Sequence, residues 1–277
     1  MFKIGLTIQK FGTTNPSILV KFAAFIRLEH IEFDMFVFDN IEAVIRALKS
    51  KQSAIHAPYY EDYDLDFSSE NSILDLLIEK IIDYKKELGI IGVIIHPPVD
   101  PKGDINLYYQ RLDHLPVLPL LENMPYQSWN QFLLQFHTTQ ENISQSLGFC
   151  FDIPHSYITN EDQFLNLPDP LIKLLKQNSG YIHISGGNKN EDTHFPLLSE
   201  GEMPIPPIKT FLRKLPFKGT VTMELSPRNF HEIDKMLQSY SQMLGIAKKP
   251  LRKLENEIKR PFLMKKIRKF FSDPQNS

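Results

Sequence analysis

What most constrains this chain is a rhythm of short β-branched and aromatic runs, each stopped by a turn signal and most followed by helical periodicity. Between residues 3 and 245 eight such runs stand out: Lys3–Thr7, Phe33–Phe38, Ser53–His56, Ile91–His96, Val117–Glu122, Gly148–Asp152, Gly180–Ile184 and Gly219–Glu224. Runs of this length bounded by glycine, proline or asparagine read as buried strands. Helical spacing covers Pro16–Glu29 (with Asn15 as its cap), Ile41–Lys49, Ser72–Leu88, Ser128–Phe136, either Glu161–Leu167 or Leu171–Lys176, Ile208–Lys214, and His231–Leu244. Ser72 and Asp75 have capping-box spacing, and Gly89 supplies a stop. Eight strands alternating with helices over about 250 residues predict a (β/α)8 TIM barrel. A doubly wound sheet is the structural rival, but it calls for a glycine-rich phosphate loop after the first strand, and GLTIQKFG is not one. The expected organisation is a barrel over 1–245 with a helical extension over 246–277.

The strand ends carry the chemistry. His56, His96, Glu122, Asp152, His183 and Glu224 lie at or next to the C-terminal ends of six predicted strands, and His155, Asp192 and His194 fall just beyond. In this barrel type the active site sits at the C-terminal mouth, so these residues are expected to converge there. Asp192 and His194 are two apart, which in an extended loop turns both side chains the same way. Four carboxylates at one mouth repel one another unless a cation compensates. Five imidazoles and four carboxylates form a nitrogen and oxygen donor set suited to Zn²⁺, Mn²⁺ or Fe²⁺. At three or four ligands per ion, with one carboxylate shared, they would serve two or three ions.

Charge is divided along the chain. Residues 246–277 carry +7 and residues 1–245 carry −9, within an overall −2. An acidic body is not the usual footprint of a nucleic-acid protein. The single cysteine, Cys150, excludes an internal disulfide and offers no Cys-based zinc site, which fits a reducing, cytoplasmic location. The N-terminus lacks the apolar core of a signal peptide and no run is long enough to span a membrane, so no membrane insertion is expected and a monomer is the expected state. In the tail, Leu251, Leu254 and Ile258 share one helical face, and Leu263, Ile267 and Phe270-Phe271 share another; Pro261 is expected to separate the two segments. The tail reads as a helix packed on the barrel's flank, a DNA-backbone arm or a membrane-surface helix.

Taken together, His56-Ala-Pro-Tyr, Ile95-His96-Pro, Leu121-Glu122-Asn123, Phe151-Asp152-Ile-Pro-His155, Ile182-His183, Asp192-Thr-His194 with Glu200-Gly201, and Met223-Glu224-Leu225 resemble the endonuclease IV family (AP endonuclease family 2) of the xylose-isomerase-like barrels. The resemblance runs over roughly residues 2–244, and residues of the expected types fill all nine of that family's metal-ligand positions. It implies one ion on His56 and His96, Glu122 bridging to a second held by Asp152, His183 and Glu224, and a third on His155, Asp192 and His194. It further implies a zinc-dependent hydrolase acting in DNA repair at abasic sites, with Glu122, Asp152 and Glu224 at the catalytic centre and Tyr59 presented to the DNA. The loops Met124–Trp129 and Ser156–Asn160 and the turn Ile8–Gly12 depart from that family's pattern. Sugar isomerases and epimerases of the same superfamily use a single ion on the equivalents of Glu122, Asp152, His183 and Glu224, which leaves His56, His96 and His155 without a metal role. A multinuclear iron oxidase assembles a similar ring. A non-enzymatic binding module has no use for so many ligands.

Overall fold

Eight parallel strands pair in chain order and close on themselves. They are β1 (Lys3–Ile8), β2 (His30–Phe33), β3 (Gln52–His56), β4 (Ile90–Ile95), β5 (Leu118–Glu122), β6 (Gly148–Asp152), β7 (Tyr181–Ile184) and β8 (Thr220–Met223). Closure is the pairing of β1 with β8, in which Gly5 stands opposite Thr222. The helices are α1 (Pro16–Phe25), α2 (Ile41–Leu48), α3 (Tyr60–Tyr63), α4 (Ser72–Leu88), α5 (Ile105–His114), α6 (Trp129–Asn142), α7 (Ile153–Asn160), α8 (Asp169–Lys176), α9 (Ile205–Lys214), α10 (Phe230–Ile246) and α11 (Pro250–Phe271). The computed structural model describes residues 2–8, 16–48, 52–177, 179–197, 203–225 and 230–271. This is the (β/α)8 arrangement the sequence pattern predicts.

Strand alternation places the functional layer. Successive side chains point to opposite faces of a strand. On one face Ile4, Leu6, Ile31, Phe33, Ile55, Val93, Ile95, Leu121, Phe149, Phe151, Ile182, Ile184, Val221 and Met223 join the helices in the main core. On the other, Ala54, Ile94, Leu120, Cys150 and Tyr181 form a separate cluster inside the bore. Two residues further along the same five strands come His56, His96, Glu122, Asp152 and His183. The period of two that packs the bore therefore also stacks the ionisable residues as its next layer. Gly5 makes room on the opposite wall: a Cβ there would meet His30 Cδ2 at 2.8 Å and Thr222 Oγ1 at 3.1 Å.

Several local expectations change. The second strand is His30–Phe33 rather than Phe33–Phe38. Asp34 accepts from Phe36 N at 2.9 Å and starts a 3₁₀ turn over Met35–Asn40, so the aromatic run wraps the flank as helix. Asn71, not Ser72, caps α4 through a 3.0 Å bond from Ile73 N, and Asp75 instead pairs with the buried Arg111 at 2.8 Å. That ion pair ties α4 to α5, a helix with no counterpart in the sequence pattern, whose Asp104 cap accepts from Asn106 N at 2.8 Å. After β6 the chain forms α7 at once, where a loop is expected, and α8 corresponds to the second of the two alternatives. Asn15, Lys49, the turn at 9–12 and Glu200-Gly201 lie outside the described residues.

The tail is one helix, not two. α11 runs through Pro261 without a break. Asn256 on one side of Pro261 gives bonds to Leu237 O (3.2 Å) and Ser241 Oγ (2.7 Å), and on the other side Leu263, Met264 and Ile267 are buried. Anchoring on both sides holds the geometry against the lost N–H and the ring clash. Leu251, Leu254 and Ile258 face solvent, at 81%, 56% and 59% exposure, so they do not close the barrel.

Candidate metal centre

Glu122 ends β5 fully buried, with each carboxylate oxygen committed to a different side. Oε1 lies 2.6 Å from His183 Nδ1 on β7; Oε2 lies 2.9 Å from His96 Nε2 and 3.7 Å from His56 Nε2. His56 also faces Glu224 Oε1 at 3.6 Å, and His183 Nδ1 faces Glu224 Oε2 at 3.0 Å and Asp152 Oδ2 at 3.9 Å. The donor atoms of Glu122, Asp152, His183 and Glu224 all lie within 4.8 Å of one another, as do those of His56, His96 and Glu122.

A second knot lies against the first. His155 Nε2 and His194 Nε2 reach the same oxygen of Asp192, at 2.8 and 3.1 Å. His155 is held from behind: its Nδ1 donates to Asn123 O at 2.7 Å, so Nε2 is the nitrogen it presents. Asn123 also brackets Asp152, bonding its carbonyl at 3.0 Å and accepting from its N–H at 2.9 Å, and so pins the ends of β5 and β6 together. His194 has a left-handed backbone, φ 45°, a strained conformation for a non-glycine residue and one that clusters at functional sites. Tyr59, half-buried at the mouth, packs its ring 4.8 Å from that of His96.

Electrostatics ties these groups into one unit. Burial opposes a charge on His56, but the nearby carboxylates of Glu122, Glu224 and Glu32 lift it to about 9. Burial opposes His194 likewise, and Glu224 and Asp192 carry it to about 10. His155 and His183 are raised against the same opposition. Burial pushes Glu224 upward, but His194 and His183 bring it down to about 2. Asp152 goes the other way, to about 7, because burial outweighs the attraction of His155. His96 stays low because burial dominates. Burial also pushes the Cys150 thiol up, which keeps it protonated although it lies in the same cluster as Glu122 and His183.

The donor set fits divalent ions. In this arrangement protonated imidazoles act as the counter-charge to buried carboxylates, the role a cation takes over when it displaces those protons. Asp152 Oδ2, His96 Nδ1 and His194 Nδ1 are buried without a hydrogen bond from the described residues. The 3.6, 3.7 and 3.9 Å separations around His56 and Asp152 are too long for hydrogen bonds. They sit near the roughly 3.4 Å that two ligands keep when each is about 2.0–2.1 Å from a tetrahedral zinc.

A family model described as a xylose isomerase-like TIM barrel matches residues 24–245. The chain belongs to that family. Members of the xylose isomerase-like family are enzymes, and this member's buried His, Glu and Asp clusters suit a divalent metal. Among solved structures it is similar to a D-tagatose 3-epimerase-like protein, at 19% identity and TM-score 0.60 over 89% of this chain and 97% of that one. It is also similar to an AP endonuclease, family 2, from Brucella melitensis, at 15% identity and TM-score 0.59 over 83% and 95%. A D-psicose 3-epimerase solved with D-fructose aligns at 15% identity and TM-score 0.56 over 95% and 99%. At these identities the likeness is one of fold. No curated protein matches the chain significantly. No helix of the described residues is long and apolar enough to cross a membrane.

One residue of this xylose isomerase-like site has no counterpart among the candidates that the sequence pattern singles out. Glu32, one residue before the end of β2, is fully buried, with Oε2 2.8 Å from His183 Nε2. It repeats on β2 the pattern of the other strand ends. The available signal was Asp34, a capping residue that stops the strand just after Phe33.

Proposed function

We propose that the chain is a metal-dependent phosphodiester hydrolase resembling endonuclease IV, cutting DNA at abasic sites with two or three ions, zinc foremost. The observation that carries this reading is the split allegiance of Glu122: one oxygen faces His183 and the other faces His96 and His56. A carboxylate with imidazoles on both sides is built to be shared between two ions, and a single-ion enzyme has no need of His56 and His96. On this reading His56, His96 and Glu122 would hold one ion, Glu122, Asp152, His183 and Glu224 a second, and His155, Asp192 and His194 a third. When bound, such ions polarise phosphoryl oxygens, make water nucleophilic near neutral pH and offset charge on the leaving oxygen. The chain's own residues supply the rest. Asp152 Oδ1 is taken by the His155 N–H, so Oδ2, which accepts no hydrogen bond from the described residues, is the oxygen Asp152 would offer to an ion. Glu122 and Glu224 keep the imidazoles aimed inward. The Tyr59 ring stands at the mouth, where it can stack against an unpaired nucleotide.

A second reading is a sugar epimerase or isomerase with one ion. It is favoured by the compact Glu122, Asp152, His183 and Glu224 group, which is a sufficient set by itself, and by the acidic body, which attracts phosphate poorly. Five of the similar solved structures carry 3-epimerase names. The deciding assay offers the zinc- or manganese-loaded protein a duplex with one abasic site and, separately, a panel of ketohexoses. Strand cleavage with no change in the sugars supports hydrolysis. Epimerised sugar with an intact duplex replaces it with the second reading.

A further inference from the structure

We infer that Glu32 is a positioning residue that decides which nitrogen of His183 faces a metal ion; the inference rests on the metal-centre reading above. Both residues are fully buried, and the His183 ring is held from both sides: Nε2 lies 2.8 Å from Glu32 Oε2, while Nδ1 faces Glu122 at 2.6 Å and Glu224 at 3.0 Å. Carboxylates only accept, so each nitrogen carries a hydrogen while no ion is bound; Nε2 donates to a single carboxylate that Tyr181 also holds, whereas Nδ1 faces the carboxylates of Glu122, Glu224 and Asp152. Nδ1 is then the nitrogen whose proton a metal replaces, on the side where Glu122, Asp152 and Glu224 converge.

Glu32 is itself anchored. Its Oε2 accepts a 2.7 Å bond from the Tyr181 hydroxyl, which accepts one from Thr222 Oγ1 at 2.7 Å and lies 2.7 Å from His30 Nε2. Burial drives His30 down to about 3, so at ordinary pH it is a neutral hydrogen-bonding partner, not a second cation. The column is thus ordered from the bore upward: His30 and Thr222 fix Tyr181, Tyr181 fixes Glu32, and Glu32 fixes His183. An isolated carboxylate at this depth costs several kcal/mol unless it is hydrogen-bonded, so its place is difficult to explain as packing alone. Glu32 also falls in a group with His56, His183 and Glu224 whose donor atoms lie within 4.8 Å of one another, so the number of ions the Glu32 variant binds separates a positioning role from a ligand role.

The test combines ring-nitrogen NMR with metal titration. In the zinc-loaded wild type labelled with ¹⁵N-histidine, the His183 ring should show Nδ1 metallated and Nε2 protonated; metallation at Nε2 would overturn the inference without the help of any variant. Glu32→Gln puts an amide there that can donate as well as accept, so the tautomer is no longer dictated. Its zinc affinity, measured against a chromophoric chelator, should fall by about 10–100-fold with the number of ions unchanged, and Glu32→Asp should recover part of the loss. Wild-type affinity in a folded Glu32→Gln protein overturns the inference, and so does the loss of one whole ion, which would make Glu32 a ligand. A wild type that takes up no ion at all overturns the metal-centre reading and this inference with it.

Discussion

Raising the pH from 6 to 8 should tighten metal binding steeply, and by different amounts at different parts of the centre. The sign follows from the imidazoles. His56 is held protonated up to about 9 and His194 up to about 10, so at pH 6 an ion must displace their protons. An ion on His56, His96 and Glu122 displaces one proton, because burial already keeps His96 neutral. Its apparent affinity should climb about tenfold per pH unit, or about 100-fold (~2.7 kcal/mol) across the interval. An ion on His155, Asp192 and His194 displaces protons from two raised imidazoles and should climb more steeply over the same range. Competition titrations at pH 6, 7 and 8, with released protons counted by an indicator dye, read both slopes. Affinities flat across pH 6–8, or binding without proton release, would refute the picture of a cluster held together by protonated imidazoles. The same shifts fix the stability of the metal-free protein. A raised histidine pKa stabilises fully below about 6.5 and is lost as pH rises through the folded value. The metal-free barrel should therefore lose on the order of 3 kcal/mol from His56 alone between about pH 6.5 and 9, and added zinc should suppress that loss.

Glu122→Gln should lower the ion count by more than one ion's share, as elemental analysis would show, because both halves of the centre lean on that side chain. His194→Ala should remove only the ion assigned to Asp192, and it should also lower the metal-free melting temperature below about pH 6.5, because Asp192 and Glu224 lose a counter-charge. Leu263→Ala should cost about 2–5 kcal/mol in urea unfolding, because Leu263 is 1% exposed under α11, whereas Leu251→Ser at 81% exposure should be neutral. Replacing Lys265, Arg268 and Lys269 with glutamine should weaken duplex binding at low salt and flatten its log-log salt dependence by about 0.9 for each phosphate no longer neutralised; an unchanged slope would show that the basic end of α11 does not touch DNA.

The barrel was legible because its two periods are simple: strands of four to six residues with a buried outer face, and helices with separate apolar stripes. The site was legible for the same reason, since His56, His96, Glu122, Asp152 and His183 each follow a bore residue by two. Glu32 escaped because His30–Phe33 is only four residues long and runs straight into the Phe-rich stretch, which has the higher strand propensity. α5 escaped because much of it is polar, with Tyr108, Arg111 and Leu112 as its buried residues; Arg111 is stabilised there by Asp75 and the carbonyls of Phe67 and Ser69, partners that are distant in sequence. The unbroken helix through Pro261 likewise depends on anchors in α10 that local propensity does not contain.

The central claim, a shared Glu122 serving more than one ion, is tested most directly by metal content per chain. Protein purified without added metal should be assayed for cleavage of an abasic-site duplex, supplemented until activity no longer rises, freed of loose ions and analysed for zinc, manganese and iron against protein concentration. The account predicts two or three ions per chain at full activity. One ion per chain in a fully active preparation would contradict it.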